Sequence, residues 1–233
     1  MLGRRALAAL GVALAAVAVA LPGATSRASL PTPWAAVGRL DIGSGRFCSG
    51  TVIAPRRVLT AAHCLFEAET GRRAAPGDIV FQAGLYRDDV QVRRRPARAH
   101  VAPGFLAAAG GRLGALEHDI AVLEFAEPVG VPPIGILPAA HELPPRLIVA
   151  RYGRSRPSRT SVDFGCVRLG WIGGLWRVSC PGEPGNSGAP LLAPGPGGPR
   201  VVAVVVAVDT RTRDRTIIAV PLRGGRALPP AAR

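Results

Sequence analysis

The chain has 233 residues, 29 of them basic and 15 acidic, giving a formal net charge of +14. A charge of this sign favours anionic surfaces, but every basic residue is arginine, and with abundant Ala, Gly and Pro this matches GC-rich coding. The arginines are scattered, aromatics are only 5% of residues and no nucleic-acid motif is present, so no specific nucleic-acid partner is expected.

The first element is a targeting segment. Arg4 and Arg5 precede an apolar run from Ala6 to Leu21, broken by Pro22 and Gly23 and followed by small residues. This is the layout of a secretory signal peptide. The run is barely long enough to span a bilayer, which takes about 20 apolar residues. Cleavage after Ala20, Ala24 or Ala28 is open, and no stable membrane anchor is expected once the signal is removed.

Short strands follow. The runs 34–42, 47–54, 57–62, 78–84, 88–95 and 119–125 carry Val, Ile, Phe or Thr between Gly, Pro or Asp. A segment at 127–145 holds six prolines, which lack the amide a central strand needs, so it reads as a connector. A second set of strands is predicted at 146–153, 160–171, 175–180, 189–193, 201–210 and 215–222, with "PGPGGP" at 194–199 as a hairpin turn. The densest basic cluster, "RRRPAR" at 93–98, reads as a solvated strand edge or loop. No segment has a sustained helical period, so the chain is all-β. The expected organisation is a signal at 1–28, a first β unit at 29–130, a proline-rich connector at 131–145, a second β unit at 146–223 and a flexible tail at 224–233.

Four cysteines, Cys48, Cys64, Cys166 and Cys180, in an exported chain predict two disulfides. Three connectivities are possible. The local pairing Cys48–Cys64 and Cys166–Cys180 closes two loops of similar length, each stabilising by about 3 kcal/mol through loop entropy. No C-x-x-C spacing and no calcium-loop spacing is present, so neither a metal nor any other cofactor is expected.

Three residues stand out as a set. His63 ends an apolar run beside Cys64, Asp119 opens "DIAVLEF", and Ser187 lies in "CPGEPGNSGAP". Each alone has a plain structural reading: a packed histidine, a strand-start aspartate, a turn serine. Together they supply a reaction. A serine hydroxyl becomes a nucleophile when an imidazole takes its proton, and a buried carboxylate fixes that imidazole's tautomer. The oxyanion that forms needs backbone N–H donors, which Gly185 and Ser187 could supply if the glycines let the loop adopt unusual angles.

"LTAAHC", "HDIAVL" and "GNSGAP" resemble the histidine, aspartate and nucleophile motifs of the trypsin-like (chymotrypsin-fold) serine proteases, and "ARYG" at 150–153 resembles the start of their second barrel. The resemblance covers about residues 34–222. It implies two six-stranded antiparallel Greek-key β-barrels with the active site in the cleft between them, and endopeptidase activity through an acyl-enzyme. His63 would be general base and then acid, Asp119 its orienter, and Ser187 the nucleophile. The Gly185 and Ser187 amides would form the oxyanion hole, and Cys48–Cys64 would be the histidine-loop disulfide. A monomer acting on polypeptide substrates outside the cytoplasm, extracellular or periplasmic, is the expected form.

Three departures refine the resemblance. Asn186 replaces the aspartate that in digestive and clotting enzymes pairs with a freed N-terminal ammonium, as in bacterial branches carrying G-N-S-G, so activation without that ion pair is expected. Pro181 stands where trypsin has the acidic floor of its specificity pocket, and Val206 and Val208 fall on an apolar wall opposite. A small or apolar residue before the cleaved bond is therefore expected, unless Asp209 or Asp214 faces the pocket. No histidine follows Ser187, which argues against the usual glutamate-specific pocket. The competing reading is a catalytically silent protease-like binding protein, but all three triad residues are retained. A secreted esterase is disfavoured because the G-x-S-x-G elbow and αβ alternation are missing.

Overall fold

The computed structural model describes residues 32–43, 45–67, 69–87, 89–107, 116–137, 143–211, 213–222 and 229. The signal-peptide expectation at 1–28 and nearly all of the expected tail lie outside the described residues. No described helix is long and apolar enough to cross a membrane.

Two antiparallel sheets of seven strands each carry the chain. The first holds β1 (Val37–Ile42), β2 (Phe47–Ala54), β3 (Arg57–Thr60), β4 (Ile79–Ala83), β5 (Val92–Arg94), β6 (Arg98–Val101) and β7 (Ala121–Glu124). Its order is β5-β4-β1-β2-β3-β7-β6. Three hairpin-connected strands with the fourth returning beside the first make a Greek key. The second sheet holds β8 (Leu147–Gly153), β9 (Arg156–Cys166), β10 (Arg168–Ile172), β11 (Leu175–Pro181), β12 (Pro190–Ala193), β13 (Arg200–Val208) and β14 (Thr216–Pro221). Its order is β10-β11-β14-β13-β12-β8-β9, with β11 returning beside β14.

Each sheet counts seven strands where six are expected. In the first, the basic run around Pro96 yields two short strands, because proline cannot donate to the ladder. Arg98–Val101 was not legible as a strand, since it pairs with β7 despite carrying Arg98 and His100. In the second, the expected 160–171 strand breaks at Val167, whose amide bonds the Ser179 hydroxyl at 2.9 Å instead of a backbone carbonyl. The Cys166–Cys180 and Cys48–Cys64 disulfides are both formed, so the local connectivity is the one adopted.

The larger apolar core runs from one sheet into the other. Leu40, Leu59, Phe81, Ile120 and Leu123 of the first unit are buried in the same cluster as Tyr152, Leu192 and Val204 of the second. A smaller core, with Trp176, Val178 and Leu191, lies within the second unit beside Cys166–Cys180. The two units therefore share a buried seam, and the site lies along it.

Candidate active site

His63 lies in a short 3-10 turn, Ala62–Leu65, directly after β3. Cys64 in that turn is bonded to Cys48 on β2, so the turn is anchored on both sides of the histidine. Asp119 stands two residues before β7, the neighbour of β3, and is fully buried. Its Oδ1 accepts the His63 backbone N–H at 2.7 Å, and its Oδ2 lies 2.6 Å from His63 Nδ1. A carboxylate accepts only, so Nδ1 carries the hydrogen and Nε2 presents its lone pair outward. The buried carboxylate thus fixes the position and the tautomer of the ring.

Ser187 reaches the same place from the other unit. Its loop, between β11 and β12, is folded on its own backbone. Asn186 N donates to Glu183 O at 3.2 Å and Ala189 N to Asn186 O at 2.9 Å. Asn186 is fully buried; its Oδ1 accepts Glu183 N at 2.8 Å and its Nδ2 donates to Tyr152 O at 2.9 Å. The loop is also tied to the first unit. Ser49 N donates to Ser187 O at 2.7 Å, while within the loop's own unit Gly188 N donates to Val205 O at 2.7 Å. The Ser49 hydroxyl donates to Gly185 O at 2.9 Å and accepts from Tyr152 N at 2.9 Å.

Two amides in this loop are left over. Asn186, Gly188 and Ala189 all donate to carbonyls, while Gly185 and Ser187 donate to no protein acceptor among the described residues. Gly185 has φ +98° and Gly188 φ +82°, both in the left-handed region that side chains resist. A Cβ on Gly188 would sit 2.1 Å from Ser49 O, so the loop approaches β2 more closely than any side chain permits.

His63, Ser187 and Gly185 line one open cleft of about 510 Å³, together with Arg46, Phe47, Cys48, Cys64, Arg154 and Pro184. No hydrogen bond joins Ser187 Oγ to His63 Nε2 in this conformation; such contacts are often long without substrate and tighten when it binds. The sulfurs of Cys48 and Cys64 lie near His63 but are bonded to each other, so they offer no thiolates to a metal.

The residues expected to shape the specificity pocket lie on β11 and β13. Pro181 is exposed and paired opposite Thr216, Val206 is buried, and Val208 is half-buried. None of the three lines the cleft that His63 and Ser187 share. Val208 and Ile217 instead press on Gly182, where a Cβ would meet their methyls at 2.7 and 2.9 Å. Asp209 is buried but held by Arg211, whose Nε and Nη2 donate to its two oxygens at 2.9 and 3.1 Å. That guanidinium keeps the Asp209 carboxyl below the usual carboxylate range. Asp214 is exposed in the same turn.

Some contributors were invisible in the sequence. Ser49 bridges β2 to Tyr152, 103 residues away, and nothing in "CSGT" marks it as a seam residue. Thr60, whose hydroxyl donates to Ser49 O at 2.8 Å, is equally silent. The only local signal is that both are polar within runs that otherwise read as buried strand.

Two antiparallel units meeting at a cleft lined by a histidine that a buried aspartate holds, and by a serine on a glycine-shaped loop, define a chymotrypsin-like fold. The chain belongs to the trypsin-like peptidase domain family, whose model matches residues 48–204. It is similar to serine protease 23 of Rattus norvegicus, 28% identical over 161 residues, covering 61% of this chain and 42% of that protein. The same protein of Homo sapiens is 27% identical over 165 residues, with the same coverage. The chain thus spans less than half the length of these relatives. Among solved structures it resembles a Glu endopeptidase, with TM-score 0.68 and 18% identity over 84% of this chain and 88% of that one. It also resembles the thermostable serine protease AL20 from an extremophilic microorganism, with TM-score 0.66 and 15% identity over 84% of this chain and 94% of that one. At these identities the two structures establish the fold alone.

Proposed function

We propose that this chain is an exported serine endopeptidase that cuts polypeptides through an acyl-enzyme. The observation that carries the reading is the fully buried Asp119 holding His63 by two hydrogen bonds while Ser187 and two unused amides share the histidine's cleft. Ser187 Oγ attacks the peptide carbonyl as its proton passes to His63 Nε2, and Asp119 stabilises the imidazolium. The carbonyl oxygen, now negative, accepts from the Gly185 and Ser187 amides. The imidazolium proton then goes to the leaving amine as the C–N bond breaks. Water enters, gives its proton to His63, attacks the ester, and Ser187 takes the proton back as the acid is released.

The wall against Gly182 favours a small or apolar residue before the cut. Val208 and Ile217 crowd Gly182, and Arg211 pairs the buried Asp209, so that carboxylate is not open to select Arg or Lys. Glutamate, the residue in the name of one structural neighbour, has no histidine after Ser187 to receive it in this sequence. Asn186 is satisfied within its own unit, which supports a loop that needs no N-terminal ammonium to open the hole. Two disulfides support an oxidising location outside the cytoplasm.

The test is labelling of the folded protein with a fluorophosphonate, followed by a peptide library read by mass spectrometry. Labelling is expected in the wild type, equally with extra residues at its N-terminus, and is lost in Ser187→Ala. Cuts are expected after Ala, Val or similar residues. A folded wild type that takes no label would instead support a silent binding protein, and cuts chiefly after Arg, Lys or Glu would overturn the pocket reading.

A further inference from the structure

The lining of the cleft is lopsided. It contains His63 and Ser187 but no residue of β13, the strand that carries Val206 and Val208. It runs instead past the Cys48–Cys64 disulfide and Phe47 to two guanidiniums, Arg46 and Arg154, one from each unit. The leaving amine must lie at His63 Nε2 to collect its proton. Space that opens from the histidine, away from the Gly182–Val208 wall, therefore receives the chain after the scissile bond.

We propose that this half of the cleft selects acidic side chains in the first two residues after the cut, through Arg46 and Arg154. The inference rests on the endopeptidase reading above. Arg46 is held through its guanidinium and Arg154 through its backbone, by contacts that leave both charges available. Arg46 Nη1 donates to Phe66 O at 2.9 Å, a neutral acceptor. Arg154 is exposed, and its backbone N–H donates to Pro184 O at 2.9 Å, which fixes it at the rim of the oxyanion loop. Among the described residues neither forms an ion pair. The neighbouring acids make their hydrogen bonds elsewhere, although the Arg46 charge also helps Thr70 and Arg72 hold the Glu67 carboxyl below its usual range. Glu183 accepts from Ser155 N and Oγ at 2.9 and 2.5 Å, and Glu67 is bonded by Thr70 and Arg72. Arg46 is half-buried in the cleft that Phe47 and the disulfide also line, where water screens a charge less than it does in the open. A guanidinium also offers paired donors that match a carboxylate.

The experiment uses the purified full chain and two quenched peptides alike except that Glu-Glu or Lys-Lys follows the cut bond, with mass spectrometry fixing the bond. A short ester with no residue beyond the leaving group, and fluorophosphonate labelling, report the catalytic centre separately. The Glu-Glu peptide is expected to win in kcat/KM by about tenfold, the yield of two partly exposed ion pairs. The ratio should shrink towards one in about 1 M salt, where the screening length falls to about 3 Å. It should invert in Arg154→Glu and narrow in Arg46→Gln. Equal rates in the wild type, or a ratio that ignores both salt and substitution, would overturn the inference while ester turnover and labelling left the endopeptidase reading standing. No ester turnover, no labelling and no cleavage would overturn both.

Discussion

The two halves of the site are built from different material. The half that holds His63 depends on a side chain: the Asp119 carboxylate alone supplies both oxygens that position it. The half that presents the serine depends mostly on backbone, through carbonyls accepting from Ser49, glycines at positive φ and two amides without a protein acceptor among the described residues, with the Asn186 side chain bracing the loop. Each half is therefore vulnerable in its own way. The first fails when atoms are removed or their charge is changed. The second fails when atoms are added.

The largest expected effect comes from breaking the first half without changing its shape. Asp119→Asn keeps the volume but places a donor amide where only acceptors serve, so His63 is driven to the tautomer whose Nε2 carries the hydrogen. Turnover should fall by about 10⁴-fold, with urea stability changed far less in proportion. A loss under tenfold would mean the pair does not carry the base function. Next in size is the complementary change in the second half. Gly188→Ala adds one carbon at φ +82°, within 2.1 Å of Ser49 O and 2.2 Å of Thr60 Oγ1. It should cost about 3 kcal/mol or more in chemical denaturation, or prevent folding altogether. Gly197→Ala, where a Cβ meets nothing within 4 Å, is the control and should be near neutral. If the two alanines behaved alike, the second half would not be limited by backbone approach.

Legibility followed the same division. His63, Asp119 and Ser187 could be singled out because the proposed chemistry requires those residue types and their neighbours are sequence-local motifs. Most strands could be read because Gly, Pro and Asp bound each run, and the second unit's hairpin at 194–199 joins β12 and β13 as its composition suggests. What could not be read depends on distant partners. Ser49 is a seam residue only because Tyr152 and Gly185 come to it from the other unit. Val208 closes on Gly182 only because Ile217 arrives beside it from β14. The strand Arg98–Val101 escaped because pairing with β7, and not its own composition, makes it a strand.

The smallest effect probes the seam where the two halves meet. Tyr152 is fully buried, its backbone bonded to Ser49 and Asn186, and its hydroxyl donates to Leu85 O of the first unit at 3.2 Å. Burial pushes its pKa up to about 12, from about 10 in the unfolded chain. Above pH 10 the unfolded chain releases this proton while the fold retains it, so the unfolded state binds fewer protons and stability falls as pH rises. The loss should reach about 1.4 kcal/mol by pH 11. The measurement is clean in this chain, because it contains no lysine, its cysteines are all in disulfides and it has only two tyrosines. Tyr152→Phe should lose about 1 kcal/mol at pH 7 by leaving Leu85 O unpaired, but its stability should stay flat as the wild type's declines, so the two curves meet near pH 11. If the wild-type curve is flat too, the ring of Tyr152 is in contact with water, and the seam is held by its backbone bonds and apolar packing alone.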